Sequence, residues 1–88
     1  MLDIEYSGQF KRDLKRAKKR KKNLEKIKEP IRLLVEEEPL PEFYLDHSLS
    51  GQWKGCRDLH IEPDWLLIYR IQDNVIRFER TGTHSDLF

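Results

Sequence analysis

Arg57-Asp58-Leu59-His60-Ile61-Glu62-Pro63-Asp64-Trp65-Leu66-Leu67-Ile68-Tyr69-Arg70-Ile71-Gln72-Asp73-Asn74-Val75-Ile76-Arg77-Phe78-Glu79-Arg80-Thr81-Gly82 is the stretch on which the fold turns. Leading into it, Trp53, Gly55, Arg57, Leu59 and Ile61 share one parity. Lys54, Cys56, Asp58, His60 and Glu62 share the other, which is the period of a strand. Glu62-Pro63-Asp64 reads as a turn. Trp65 to Ile71 is almost continuously apolar, as a central strand covered on both faces should be. Gln72-Asp73-Asn74 turns the chain again, and Val75 to Thr81 makes a third strand that Gly82 ends. Such short connections dictate an antiparallel meander.

Upstream the period changes. Leu2, Ile4 and Tyr6 alternate with Asp3 and Glu5, predicting a first strand with one buried face. Ser7 is placed to cap a helix carrying Phe10, Leu14 and Ala17 at helical spacing. Asn23 is a candidate cap for a second helix with the stripe Leu24, Ile27, Ile31 and Leu34. Pro30 falls inside it, where its ring removes a bond to the Lys26 carbonyl, so a kink or a fresh start near Pro30 is expected. A loop is expected from Pro39 to about Gly51. The predicted architecture is α+β over residues 1–88, in the order β-α-α-β-β-β. Two helices pack on one face of an antiparallel sheet and leave the other face for chemistry.

Length and charge narrow the function. Eighty-eight residues suffice for one domain with a thin core and rule out a separate cofactor-binding domain. No apolar run approaches a membrane span, and Asp3 and Glu5 interrupt any signal-like start. With Cys56 the single cysteine, neither an internal disulfide nor a cysteine-based zinc site can form, which fits the cytoplasm. The net charge of +1 conceals a division: Lys11 to Lys28 holds eleven bases and two acids, and the rest of the chain carries −8. Lys11, Arg12, Lys15, Arg16, Lys18, Lys19, Arg20, Lys21 and Lys22 are therefore expected to face a polyanion.

The candidate catalytic groups lie in the C-terminal half. His60-Ile61-Glu62-Pro63-Asp64 does not set two ligands on one helix face, so no metal site is expected. Cys56 has no activating partner in the sequence and reads as a small strand residue. Metal-free RNA cleavage matches the inventory better. It needs a base for the ribose 2′-OH, a cation at the phosphate and an acid for the leaving 5′-oxygen. His60 or Asp64 can serve as base, Arg80 as the forked phosphate clamp and His84 as acid. Arg80 shares parity with Ile76 and Phe78, so it needs a strand end or a bulge to escape the core face.

Three separated blocks carry a resemblance. They are Asp46-His47-Ser48-Leu49-Ser50-Gly51-Gln52-Trp53-Lys54-Gly55, then Arg57 to Trp65, then Arg77-Phe78-Glu79-Arg80-Thr81-Gly82-Thr83-His84. Together with the opening Asp3 to Gln9, they resemble the YafQ-type branch of the RelE/ParE toxin superfamily along essentially the whole chain. The resemblance implies the toxin of a type II toxin–antitoxin system, a ribosome-dependent endoribonuclease that cuts mRNA during translation without a cofactor. It implies active-site roles for His47, His60, Asp64, Trp65, Arg80, His84 and Phe88, with Trp65 and Phe88 stacking or packing on an unstacked base. The implied partners are the 70S ribosome with its 16S rRNA and mRNA, and a RelB/DinJ-like antitoxin whose other half binds operator DNA. Two other readings carry over: a ParE-like toxin of this fold that binds a protein target, and a nucleic-acid-binding module without catalysis.

Overall fold

The computed structural model describes all 88 residues. The elements are β1 (Asp3–Tyr6), α1 (Gly8–Lys19), α2 (Glu25–Val35), β2 (His47–Ser48), β3 (Arg57–Glu62), β4 (Trp65–Gln72), β5 (Val75–Gly82) and α3 (His84–Leu87). The sheet runs β1-β5-β4-β3-β2. The expected β3-β4-β5 meander is present, and Asp73 and Asn74 make its second turn with positive φ at both positions, as a tight hairpin needs. The sheet as a whole is mixed rather than antiparallel. β1 lies parallel to β5 because two helices separate it from the meander and carry the chain across the sheet.

Ser7 caps α1 as expected: its Oγ accepts from Phe10 N–H at 2.9 Å and donates to the Glu79 carbonyl at 2.7 Å. Asn23 Oδ1 accepts from Glu25 N–H at the start of α2. That helix is continuous through Pro30, which corrects the expected break. Its ring is fully buried, and Ile27, Leu33, Leu34 and Val35 join the core around it, so packing outweighs one lost backbone bond. Trp65, Leu67 and Tyr69 of β4 meet Phe10, Ala17 and the α2 residues in that core. β1 was expected to bury one whole face. Leu2 is buried, but Ile4 and Tyr6 stay half-exposed because β1 is a short edge strand. Tyr6 still stacks on Phe10 and Phe78, with centroids 5.7 and 5.6 Å away.

The far face of the sheet is less open than the sequence implied. Leu66 and Ile68 are covered there by Cys56 and Leu87, with Leu49 and Trp53 packed alongside. Part of this cover comes from two elements absent from the predicted order, a 3₁₀ turn that supplies Trp53 and α3, which supplies Leu87. The expected 39–51 loop contains β2, and the chain after it folds a short 3₁₀ turn at Gly51–Trp53 rather than extending β3 back to Trp53. Gly51 and Gly55, at φ of +65° and +90°, set that turn. The expected C-terminal tail is α3, capped by a reciprocal pair: Thr83 Oγ1 accepts from Asp86 N–H and Asp86 accepts from Thr83 N–H.

Candidate active site

Register places the chemistry at one end of the sheet. His47 faces Asp58 across β2 and β3, Asp58 faces Ile68 across β3 and β4, and Ile68 faces Arg80 across β4 and β5. Residues in one row point to one face. One row along, His60 pairs with Leu66 and Leu66 with Gly82, so His84, two residues on, starts α3 next to His60. The His47 and His60 ring centroids are 6.2 Å apart, and those of His60 and His84 are 5.7 Å apart. Three histidines scattered over 38 positions of sequence thus form one line.

Asp64 ends that line. In the turn between β3 and β4 its Oδ1 accepts from the His84 backbone N–H at 2.9 Å and lies 2.5 Å from His84 Nδ1. The backbone and ring N–H groups of His84 hold the Asp64 carboxyl below its ordinary range. A carboxylate only accepts, so Nδ1 carries the proton and His84 presents Nε2 outward. His60 Nδ1 is enclosed without a hydrogen-bond partner. His47 Nδ1 is 2.8 Å from the Leu45 carbonyl and 3.1 Å from Asp58 Oδ1.

Arg80 leaves the core face by a bulge, one of the two ways the parity conflict allowed. The β4–β5 register shifts between Ile68 and Tyr69, so that Glu79 has no counterpart and Arg80 leaves the face of Ile76 and Phe78. Its guanidinium is held by a fork onto Asp13 of α1, Nε to Oδ2 at 2.8 Å and Nη2 to Oδ1 at 3.2 Å. Nη1 keeps its donors free. Phe88 is exposed beyond α3.

Trp65 is placed differently from expectation. It is 1% exposed, and its Nε1 donates to Thr81 Oγ1 at 2.9 Å. The ring belongs to the core, with Lys22 Nζ over one face at 5.7 Å, and has no face open to a nucleotide. The basic run also divides. Lys11, Arg12, Lys15, Lys18, Lys19 and Lys21 are exposed and make no ion pair. Arg16 pairs with Asp13 and Asp86, Arg20 with Asp86, and Lys22 with Glu62. These three belong to the fold's own ion pairs, not to a free polyanion face.

Three acids escaped the sequence reading. Asp58 lies 2% exposed beneath the histidines; its Oδ1 makes no aligned hydrogen bond, although His47 Nδ1 lies 3.1 Å away. Burial pushes its carboxyl upward, and His47, His60 and His84 oppose that shift. Its only sequence signal was sharing parity with His60. Asp13 is buried on α1, where the signal was an acid interrupting the Phe10–Ala17 stripe. Asp86 could have been found as the last residue of Thr83-x-x-Asp86, a capping pattern. A groove of about 630 Å³, lined by Leu34, Leu40, Leu45, Asp46, Arg57 and Tyr69 among others, has none of the three histidines in its lining but adjoins His47 through Leu45 and Asp46. No set of three or more His, Cys, Asp or Glu side chains converges as metal ligands would, and no helix is long and apolar enough to cross a membrane.

Known proteins share both sequence and shape with this chain. A family described as the bacterial toxin of type II toxin–antitoxin system, YafQ, matches residues 2–88. The mRNA interferase toxin YafQ of Escherichia coli (strain K12) is 56% identical over 87 residues, covering 98% of this chain and 95% of that protein. A crystal structure of the E. coli DinJ–YafQ complex contains a chain that superposes with a TM-score of 0.93 at 55% identity, covering 100% of this chain and 99% of that one. A metal-bound toxin from Helicobacter pylori superposes with a TM-score of 0.92 at 40% identity over the full length of both.

Proposed function

This chain belongs to the YafQ family of bacterial toxins of type II toxin–antitoxin systems, and on that premise we propose that it cleaves mRNA on the ribosome by metal-independent acid–base catalysis. The observation that carries the reading is the line His47–His60–His84 closed by the Asp64–His84 pair at 2.5 Å. His60 takes the base role. Asp64 is the weaker candidate, because a carboxylate held low by two N–H donors has little appetite for a proton. His60 removes the ribose 2′-OH proton, and the 2′-oxygen attacks the adjacent phosphorus. Arg80 meets the charge building on the phosphate oxygens with its free Nη1 donors. An imidazolium at His84, facing the Asp64 carboxylate, gives its Nε2 proton to the departing 5′-oxygen. The P–O5′ bond breaks, leaving a 2′,3′-cyclic phosphate and a 5′-hydroxyl. His47 and Phe88 border this site and are assigned to holding the RNA.

So few catalytic groups need a substrate held rigidly by something larger, and mRNA seated on the ribosome provides this. Lys11, Arg12, Lys15, Lys18, Lys19 and Lys21 supply docking on rRNA. Silencing by an antitoxin follows from family membership and from the DinJ–YafQ complex of the relative. That partner is expected to join a toxin-wrapping segment to a DNA-binding half, and both act in the cytoplasm. The testing experiment is end-group analysis of mRNA cleaved in a purified translation reaction. Cyclic phosphate at the 3′ end is expected; a 5′-phosphate with a 3′-hydroxyl would mean that water attacked and would overturn the assigned roles. Metal analysis of the purified protein is expected to find none in stoichiometric amount, and metal removal to leave its activity unchanged.

A further inference from the structure

We propose that Asp13, Arg16, Arg20 and Asp86 form a positioning network that sets Arg80 and His84 from behind, so that two arginines of the basic run act on the chemistry rather than on docking. The inference rests on the roles given to His84 and Arg80 above. Asp13 is 1% exposed and accepts from four groups: the Arg80 fork, Arg16 at 3.2 Å, Gln9 at 3.0 Å and the Thr81 backbone N–H at 3.1 Å. One carboxylate therefore fixes both the Arg80 side chain and the backbone after it. Arg16 extends the chain of charges, since its Nη2 lies 3.5 Å from Asp86 Oδ2. Arg20 grips the same carboxylate with both ends of its fork, Nη1 to Oδ2 at 2.6 Å and Nη2 to Oδ1 at 3.2 Å.

Asp86 in turn closes the Thr83 cap, and His84 is the first residue inside it. α3 spans only His84–Leu87, too short to be stable alone, so its placement depends on such external holds. Gly82 shows how closely the parts fit. A Cβ there would stand 2.8 Å from Asp86 Oδ2 and 2.9 Å from Arg16 Nη2. A side chain at Gly82, next to the α3 cap, would therefore push the Asp86 and Arg16 side chains out of their present places. Arg20 and Asp86 touch neither His84's ring nor Asp64; they act through the position of α3.

The test separates rate from affinity. Arg20→Gln, on a side chain 46% exposed, is expected to fold. It should slow single-turnover mRNA cleavage at saturating ribosomes about tenfold, because small misplacement of a reacting group is costly. Its dissociation constant and salt slope for 70S ribosomes should match the parent's, and Arg20→Lys should restore part of the rate. In a His84→Ala background, adding Arg20→Gln should cost little more, since both act through one group. Gly82→Ala, which displaces the network without removing a charge, should slow cleavage in the same way. Arg20→Gln at full rate but with weakened ribosome binding would place Arg20 on the docking face and overturn the proposal alone. An equal further loss in the His84→Ala background would also overturn it, by showing that Arg20 does not act through His84. A His84→Ala variant at the parent rate would instead overturn the role of His84, and this proposal with it.

Discussion

Asp58 shows how one residue is set by function against stability. Its carboxyl lies under three histidines with Oδ1 close to His47 but making no aligned hydrogen bond, and burial raises its pKa. A group raised in the folded state contributes most when protonated, and that contribution is lost as pH climbs through its folded value. Asp58→Asn fixes the neutral form. It is expected to gain on the order of 1 kcal/mol over the parent at pH 7 and almost nothing at pH 3, by urea unfolding at both. Its cleavage rate should nonetheless fall, because the histidines lose the negative charge beneath them. No gain at pH 7 would show that the histidines already compensate the buried charge. Asp58 itself was hard to read from sequence, since an aspartate in an alternating strand looks like an exposed one. Its burial depends on β2 and α3, neither of which the sequence periodicity revealed.

At the scale of elements, caps and bulges do what propensity alone does not. Ser7 both accepts at the start of α1 and donates to β5, so Ser7→Ala leaves two buried backbone groups short of a partner. A loss of about 1–2 kcal/mol is expected, checked by thermal or urea unfolding. The β5 bulge was legible because Arg80's parity conflicted with Ile76 and Phe78. The parallel β1 was not, since strand direction is decided by how α1 and α2 carry the chain across the sheet. Pro30 misled for a related reason: a local rule about one backbone bond yielded to burial of the whole helix face. The short strand β2 and helix α3 are held by tertiary partners, His47 against Asp58 and Asp86 against Arg20, and such holds leave little periodicity to detect.

Acid sensitivity also belongs to these joints. The Asp86 carboxyl is held well below its ordinary range, first by the Arg20 fork and then by the Thr83 cap. Burial acts to raise Asp13, but the Arg80 fork, Gln9 and Thr81 N–H together carry it below its ordinary value. Groups depressed in the folded state contribute above the unfolded pKa, and that contribution is lost as pH falls through the folded one. The parent is therefore expected to lose stability steeply below about pH 4, with unfolding of the α3–β5 joint leading. A variant lacking the Asp86 charge, Asp86→Asn, should show a shallower acid limb in unfolding experiments between about pH 2 and 6.

Across the whole molecule, charge is segregated more finely than a net of +1 suggests. The histidine line and the bases proposed for docking use different elements: β2, β3 and α3 carry the histidines, while the exposed side of α1 and the residues just after it carry the free lysines and Arg12. The division of the basic run was invisible in sequence because the acids that claim Arg20 and Lys22 lie 40 or more residues away. Replacing Lys18, Lys19 and Lys21 with Gln should weaken 70S binding. The log–log salt slope should shrink by roughly 0.7–0.9 for each phosphate that is no longer neutralised. An unchanged slope would make these lysines a solvated face.

The proposed chemistry stands or falls on His84. Single-turnover cleavage of mRNA on saturating 70S ribosomes should fall by ~10²–10⁴-fold in His84→Ala, the range for loss of a general acid. Ribosome affinity, measured on the same preparation, should stay within a factor of about two, since one imidazole adds little to a multi-phosphate docking face. Loss of affinity in proportion to rate would make His84 a docking residue, and cleavage at the parent rate would remove it from the reaction.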